Sequence, residues 1–307
     1  MHVSVGLRSV RDTVPGVRVK RGTTMNRRRK IGEGVSRIID KLASADAGYD
    51  KPKGIVAGFV SVCDFVENGE IIANTAYLLS KRDVAVCVVD FKVFYPNLFD
   101  WLGGVSANKK GDGLIRLLNS DRTEVKSISM KTDDENVFLI SPSPNDDIED
   151  YMNFGINDVK RVILALKDAF DIVMIDIPNN PPLEFCLGAL MNCQRGFFVA
   201  AERVDAARNI QKLTEFALKI TNEIRNFNNI IIARKQDLPY DENALSTIEF
   251  TGAGGKDKLK VVAKLPFLRA VQESALDGRV YIRESSFTNK SFVREINKVA
   301  NMILDVG

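Results

Sequence analysis

The chain has 307 residues, of which 45% are hydrophobic and 27% charged, a composition typical of a globular protein with a large α/β core. The single histidine, His2, excludes histidine-based acid/base catalysis and histidine-rich metal sites, and we expect neither catalytic residues nor a metal site. The four cysteines form no C-x-x-C pair, and no run reaches the roughly 18 apolar residues of a membrane span. We therefore expect a cytoplasmic protein without an integral membrane segment.

The net charge of +3 is unevenly distributed. Residues 1–30 carry nine Lys/Arg and one Asp, so 43 − 9 = 34 Lys/Arg face 40 − 1 = 39 Asp/Glu in the rest of the chain, a net of −5. Residues 1–24 show no sustained period, and we predict a basic, disordered arm there. A short amphipathic helix is predicted within 25–50, where apolar residues fall at helical spacing: Ile31, Val35, Ile38, Ile39 and Leu42.

The start of that helix is strongly basic and has two interpretations. Its four cationic side chains are a solvated face of a helix packed on the domain, or they contact DNA or an anionic membrane surface without sequence specificity. The second interpretation would place the protein at the periphery of the nucleoid or the membrane. The four residues are Arg27, Arg28, Arg29 and Lys30.

Residues 51–307 alternate between apolar strands and helical stretches, which predicts a mainly parallel, doubly wound α/β sheet. The predicted strands are Gly54–Val60, Val84–Val89, Val137–Ile140, Ile172–Asp176, Gly196–Ala200, Ile230–Ala233 and Val261–Leu265. The predicted helices are Glu70–Ser80, Asp112–Leu118, Asn157–Ala169, Leu183–Asn192, Ala206–Phe227, Val271–Gly278 and Ser291–Leu304.

Four segments in this order resemble the MinD/ParA family of P-loop ATPases and its TadZ/CpaE relatives. NTAYLLSKR (74–82) is similar to the family's first helix, and VAVCVVDFKVFYPNLFDWLG (84–103) to its second strand and loop. DIVMIDIP (171–178) resembles the Walker B strand, and KLPFLRAVQESALDG (264–278) a late strand and helix. The resemblance covers about residues 53–305 and implies the family's P-loop NTPase fold.

The phosphate-binding loop of that family is degenerate in this sequence. Such a loop needs glycines, a lysine for the phosphates and a hydroxyl for Mg²⁺. Aligned without gaps on Asn74, the family's early lysine falls on Cys63, its glycines on Asp64, Phe65 and Glu67, its main lysine on Asn68 and its hydroxyl on Gly69. Both lysine positions become neutral and the loop gains acids, among them Asp64 and Glu67, so we expect no ATP in the usual pose.

Two acids of the resemblance survive at strand ends. Asp90 matches an acid that the family has after its second strand. The family often has a second acid there, and this chain has Lys92 at that position. Asp176 matches the Walker B acid. The alternative for both acids is purely structural, because an acid at the end of a buried strand can cap a neighbouring loop.

The resemblance implies a homodimer, and the sequence predicts a catalytically inactive scaffold or positioning factor. Its partner system would be DNA partition, conjugation or secretion/pilus localisation, with no cofactor. A dimer or partner surface is predicted at Phe65, Val66, Phe91, Phe94 and Tyr95, the alternative being that the aromatic segment fills the core. The competing hypothesis is a nucleotide switch that binds ATP with Mg²⁺ in an altered mode, using a cation such as Lys92 or Lys256.

Overall fold

The computed structural model describes residues 53–63, 66–102, 113–120, 124–202, 204–221, 224, 226–234, 259–284 and 289–305. The predicted arm at 1–24, the predicted helix at 25–50 and the two loop residues Asp64 and Phe65 lie outside the described residues. Lys256 also lies outside them. The domain boundaries at 24 and 50 therefore stay predictions.

Within the described residues, eight strands form one sheet in the order β3-β4-β2-β5-β1-β6-β7-β8. All neighbouring strands are parallel except β3 and β4, which are antiparallel. The strands are β1 (Ile55–Ser61), β2 (Val86–Asp90), β3 (Met130–Lys131), β4 (Val137–Ile140), β5 (Ile172–Ile177), β6 (Arg195–Ala200), β7 (Phe227–Ala233) and β8 (Lys260–Leu265).

Helices connect successive strands and cover the sheet. They are α1 (Gly69–Ser80), α2 (Leu98–Trp101), α3 (Gly113–Asn119), α4 (Val125–Ile128), α5 (Ile148–Tyr151), α6 (Ile156–Ala169), α7 (Leu183–Asn192), α8 (Val204–Thr221), α9 (Arg269–Leu276) and α10 (Lys290–Leu304), with a 3₁₀ turn at Tyr281–Arg283. None of the helices in these ranges is long and apolar enough to cross a membrane.

The central strands are buried on both faces, as their continuous apolar sequences require in a parallel sheet covered by helices. Every residue of β1, β2 and β5 is buried. The predicted α/β sheet is confirmed. Because β1, β2 and β5 are neighbours and run in the same direction, their carboxyl ends meet at one point of the sheet edge.

The sequence prediction was wrong at the end of one helix and missed several short elements. The helix predicted over Ala206–Phe227 ends at Thr221, and Phe227 begins β7. Asn226 adopts a φ of 73°, in the left-handed region, which ends helical geometry before the strand. The Phe227 ring occupies the space that a side chain at Gly196 would need. The missed elements, β3 and three helices of four residues, are too short to show a period.

Candidate functional site

The carboxyl ends of β2 and β5 bring the two acids of the resemblance side by side. Asp90 and Asp176 are paired in register on these neighbouring strands, and both side chains are fully buried. Two carboxylates so close together in a dry environment repel each other, so the site needs a counter-charge. Lys92 supplies it, because its Nζ lies 3.0 Å from Oδ2 of Asp176.

Asp176 is held from two sides. Its Oδ1 accepts a hydrogen bond of 2.6 Å from Nδ2 of Asn68, and its Oδ2 forms the ion pair with Lys92. The Asn68 amide also donates to the carbonyl of Phe59 at 3.1 Å, which ties the start of α1 to β1. Both carboxylate oxygens of Asp176 are thus occupied by side chains of this chain.

Asp90 organises the loop that follows β2. Its Oδ1 accepts the backbone N–H of Lys92 at 2.9 Å, and its Oδ2 accepts those of Asn97 and Leu98 at 2.9 and 3.1 Å. These three bonds close the segment from residue 91 to the start of α2. Asp90 therefore caps this loop, which is one of the two roles that the sequence leaves open for it.

Burial and charge shift the titration of all three groups. Burial, together with the neighbouring charge of Asp176, raises the pKa of Asp90 to about 7, although the hydrogen bonds from the backbone of Lys92 and Leu98 and the charge of Lys92 oppose this. Burial also raises the pKa of Asp176, although Lys92 and Asn68 oppose this. Burial alone would lower the pKa of Lys92. The neighbouring acids, Asp176 first among them, together outweigh burial and raise the pKa, so the ammonium stays charged.

Trp101 closes the start of α1, where the family's hydroxyl residue would stand. Gly69 packs directly under the indole, and the ring leaves no room for a Cβ. Trp101 is itself buried at 5% exposure. A serine or threonine at residue 69 would therefore require the indole to move.

The connection between β1 and α1 is held by its own side chains. Oγ of Ser61 donates to the carbonyls of Cys63 and Val66, at 2.9 and 2.7 Å, and Sγ of Cys63 lies 3.5 Å from the N–H of Ala201. Cys63 and Val66 are buried, whereas Glu67 is exposed and acts electrostatically on Lys92.

The proposed aromatic surface divides into buried and exposed residues. Phe91 is 1% exposed and packs edge-on against Phe185, with ring centroids 5.5 Å apart, so the expectation that it forms a surface is corrected. Val66 is likewise 3% exposed, because the loop folds it into the core. Phe94 and Tyr95 are exposed by 38% and 76%.

These residues do not fit a Mg²⁺–phosphate site of the expected type. Residue 69 offers no hydroxyl, Asp176 is already engaged at both oxygens, and a cation stands where the metal would need an open ligand position. No group of three or more His, Cys, Asp or Glu side chains in the described ranges is placed to hold a metal ion.

The sequence did not predict two contacts of this site, the ion pair of Lys92 with Asp176 and the packing of Trp101 on Gly69. Lys92 is predicted to stand in place of a family acid and to offer a cation for ATP, whereas its role as the counter-ion of Asp176 is seen only in the structure. Trp101 was missed altogether, since nothing in the local pattern links it to Gly69. The available signal for Lys92 was its position, two residues after one strand-end acid and beside another on the neighbouring parallel strand.

The fold is that of the MinD/ParA P-loop ATPases. The structure superposes on a ParA family ATPase from Chlorobium tepidum with a TM-score of 0.63, at 19% identity over 82% of this chain and 99% of that chain. It superposes on MinD in the MinC:MinD cell division complex of Aquifex aeolicus with a TM-score of 0.60, at 15% identity over 81% of this chain and 95% of that chain. It superposes on a putative plasmid partition protein of Borrelia burgdorferi bound to AMPPNP with a TM-score of 0.60, at 17% identity over 83% of this chain and 99% of that chain.

Sequence comparison adds no closer relationship. No family model matches the chain, and no curated protein matches it in sequence. At identities of 15–19%, the structural likeness establishes the fold.

The ion pair can be tested by a double-mutant cycle. Lys92→Met leaves the Asp176 carboxylate buried without its counter-charge and should lower the free energy of unfolding by about 3–5 kcal/mol. Lys92→Met combined with Asp176→Asn removes the charge as well and should restore at least about 2 kcal/mol of this loss. Urea unfolding measures both variants.

The matched control is Lys81→Met. Lys81 forms an ion pair of the same length, 3.0 Å, with Asp134, but its side chain is 40% exposed against 15% for Lys92. Its loss should cost less than about 1 kcal/mol. Equal costs for Lys92→Met and Lys81→Met would contradict the structural role assigned to the buried pair.

The raised pKa of Asp90 predicts a pH dependence of stability. Between about pH 4 and pH 7 the folded protein binds a proton that the unfolded chain has lost, so stability falls as pH rises, by up to about 1.4 kcal/mol per pH unit. Asp90→Asn removes this contribution. Relative to the variant, the wild type should lose more than about 1 kcal/mol of unfolding free energy between pH 5 and pH 7. A constant difference would show that the pKa of Asp90 is not raised.

Proposed function

We propose that this chain is a catalytically inactive MinD/ParA-like protein that dimerises without nucleotide and acts as a scaffold or positioning factor. Its system would be DNA partition, conjugation or secretion/pilus localisation. Its place would be the cytoplasm, at the periphery of the nucleoid or the membrane. Asp64, Phe65, Glu67, Asn68 and Gly69 would be degenerate positions of a former nucleotide site.

One observation carries the loss of catalysis: the chain's own side chains occupy the carboxyl ends of the central strands. Lys92 and Asn68 take both oxygens of Asp176, and Trp101 packs on Gly69. A triphosphate would have to break a buried ion pair, and it would also approach the exposed carboxylate of Glu67.

The distribution of exposed apolar side chains supports the dimer. Of the eleven large exposed apolar side chains in the described ranges, seven lie on the loops, short helices or first helical turns that follow the carboxyl ends of β2, β4, β5 and β8. Concentration on one edge of the sheet is typical of an interaction surface rather than of scattered exposure. The seven are Phe94, Tyr95, Phe99, Ile148, Met152, Leu183 and Phe267.

Phe94 and Tyr95 would be the centre of the contact between two copies. Their loop is closed by the three hydrogen bonds to Asp90 and anchored by the ion pair of Lys92, so little conformational entropy would be lost on association. Large aromatic side chains on a preorganised loop are the usual centres of binding energy.

The partners follow by analogy with proteins of the same fold. MinD from Aquifex is solved in complex with MinC, which supports a protein partner for this chain as well. The basic residues Arg27–Lys30 would add non-specific contacts with DNA, whose strength falls steeply with salt.

A nucleotide switch is the second candidate, and one observation favours it. Lys92 places an ammonium at the carboxyl ends of the central strands, and the Borrelia partition protein of the same fold is bound to AMPPNP. In this case ATP with Mg²⁺ would compete with Asp176 for Lys92.

Analytical ultracentrifugation tests the scaffold proposal. The wild type should form a dimer at tens of micromolar without nucleotide, and 1 mM MgATP should change its dissociation constant by less than about twofold. Phe94→Ser combined with Tyr95→Ser should weaken the dimer at least about tenfold, because the central apolar contacts are lost.

The control is Phe216→Ser, since Phe216 lies on α8, away from this edge, and is exposed to nearly the same degree as Phe94, 39% against 38%. It should leave the dimer unchanged. A monomer at about 100 μM would overturn the proposal. A dimer that forms only with MgATP would favour the nucleotide switch.

A further inference from the structure

Three exposed apolar side chains lie on two segments that a ring contact brings together at the start of α7. Ile148, Met152 and Leu183 are exposed by 41%, 50% and 40%. Ile148 and Met152 are four residues apart in and after α5, and this segment packs next to α7, since the rings of Tyr151 and Phe185 lie 6.1 Å apart. These three residues are called the α5–α7 patch.

The two segments that carry the α5–α7 patch are acidic, and Asp158 at the end of the first is paired with Arg161 at 3.6 Å. Residues 141–159 contain no Lys or Arg, and their acids are Asp146, Asp147, Glu149, Asp150 and Asp158. Residues 178–194, which include the start of α7, contain Glu184 and no Lys or Arg. Asp147, Glu149, Asp150 and Glu184 are exposed around the patch.

The base of the patch is rigid. Tyr151 is buried at 1% exposure, its hydroxyl donates a hydrogen bond to Asp146, and Phe185 beneath it is fully buried. The exposed side chains therefore stand on the core of the domain rather than on a loop. An apolar centre with an acidic rim fits a basic amphipathic helix.

We propose that the α5–α7 patch binds this chain's own N-terminal amphipathic segment, residues 27–42, within the same molecule. That segment has apolar residues at helical spacing (Ile31, Val35, Ile38, Ile39 and Leu42) for the patch. It contains six Lys/Arg against Glu33 and Asp40, so 6 − 2 gives a net charge of +4 for the acidic rim. Apolar and charged parts of the two surfaces thus match.

The chain between the segment and the domain is long enough for docking within one molecule. Gly54, just before β1, lies against Lys167 near the end of α6, and α6 begins at Ile156, close to the patch. The 14 residues of α6 span about 21 Å. Residues 43–52 reach up to about 33 Å when extended, so the segment can run along α6 to the patch.

Docking would cover the basic cluster as well as the patch. Arg27–Lys30 would lie against the acidic rim, where they are less accessible to DNA or to an anionic surface. Because the segment is tethered, its effective concentration at the patch is on the order of millimolar, and even weak contacts would keep it bound. Docking would occupy three of the seven exposed apolar side chains counted above in support of the dimer, so that support would then rest on Phe94, Tyr95, Phe99 and Phe267. The inference does not depend on nucleotide binding.

Hydrogen exchange of the full-length protein tests the docking. The backbone amides of residues 31–42 should exchange at least about tenfold more slowly than in a free synthetic peptide of residues 25–50. Ile148→Ser combined with Met152→Ser should bring their rates to within about twofold of the peptide. Asp150→Lys combined with Glu184→Lys, which changes only exposed rim charges, should have the same effect.

The matched control is Phe216→Ser combined with Ile220→Ser, an exposed apolar pair with the same four-residue spacing on α8. It should leave residues 31–42 protected, and the amides of β5 serve as the measure of folding in every variant. Peptide-like exchange of residues 31–42 in the wild type would overturn the proposal. So would protection that survives both patch variants, or protection lost on dilution from about 50 to about 0.5 μM, which would assign the contact to a second molecule.

Discussion

The buried ion pair between Lys92 and Asp176 is the constraint on which the functional edge of this sheet depends. The carboxyl ends of β2 and β5 place two fully buried acids beside each other, and such an arrangement is unstable unless a cation or a proton compensates. In a P-loop ATPase that compensation comes from a metal and from lysines of the phosphate loop. Here it comes from one lysine next to Asp90, on the segment that leaves β2.

The neighbouring elements are built on the same polar cluster. Asp90 closes the loop that carries Phe94 and Tyr95. Asn68, the residue just before α1, donates a hydrogen bond to Asp176. Trp101, at the end of the short helix that this loop enters, packs on Gly69. A ligand that displaced Lys92 would therefore disturb the aromatic loop as well. This coupling supports the proposal that the edge serves contacts between proteins rather than nucleotide chemistry.

The sheet was predictable from the sequence, whereas the interactions inside the site were only partly so. Continuous apolar runs such as IVAGFV and IVMIDI predict buried parallel strands, and four motifs at family spacing fix their order. The same alignment placed Asn68 and Gly69 at degenerate positions, but it gave no means of seeing that Trp101 fills the space above Gly69. Phe91 is buried because it packs against Phe185 of α7, whereas Phe94 is exposed. A run of aromatic residues in the sequence does not reveal which of them will be buried.

We propose that the chain's own side chains take the place of the nucleotide. Isothermal titration of the full-length protein with ATP and ADP, with and without Mg²⁺, tests this proposal. We expect no saturable binding with a dissociation constant below about 1 mM, because binding would have to break the Lys92–Asp176 pair. Saturable micromolar binding of MgATP that is lost in Asp176→Ala would contradict it.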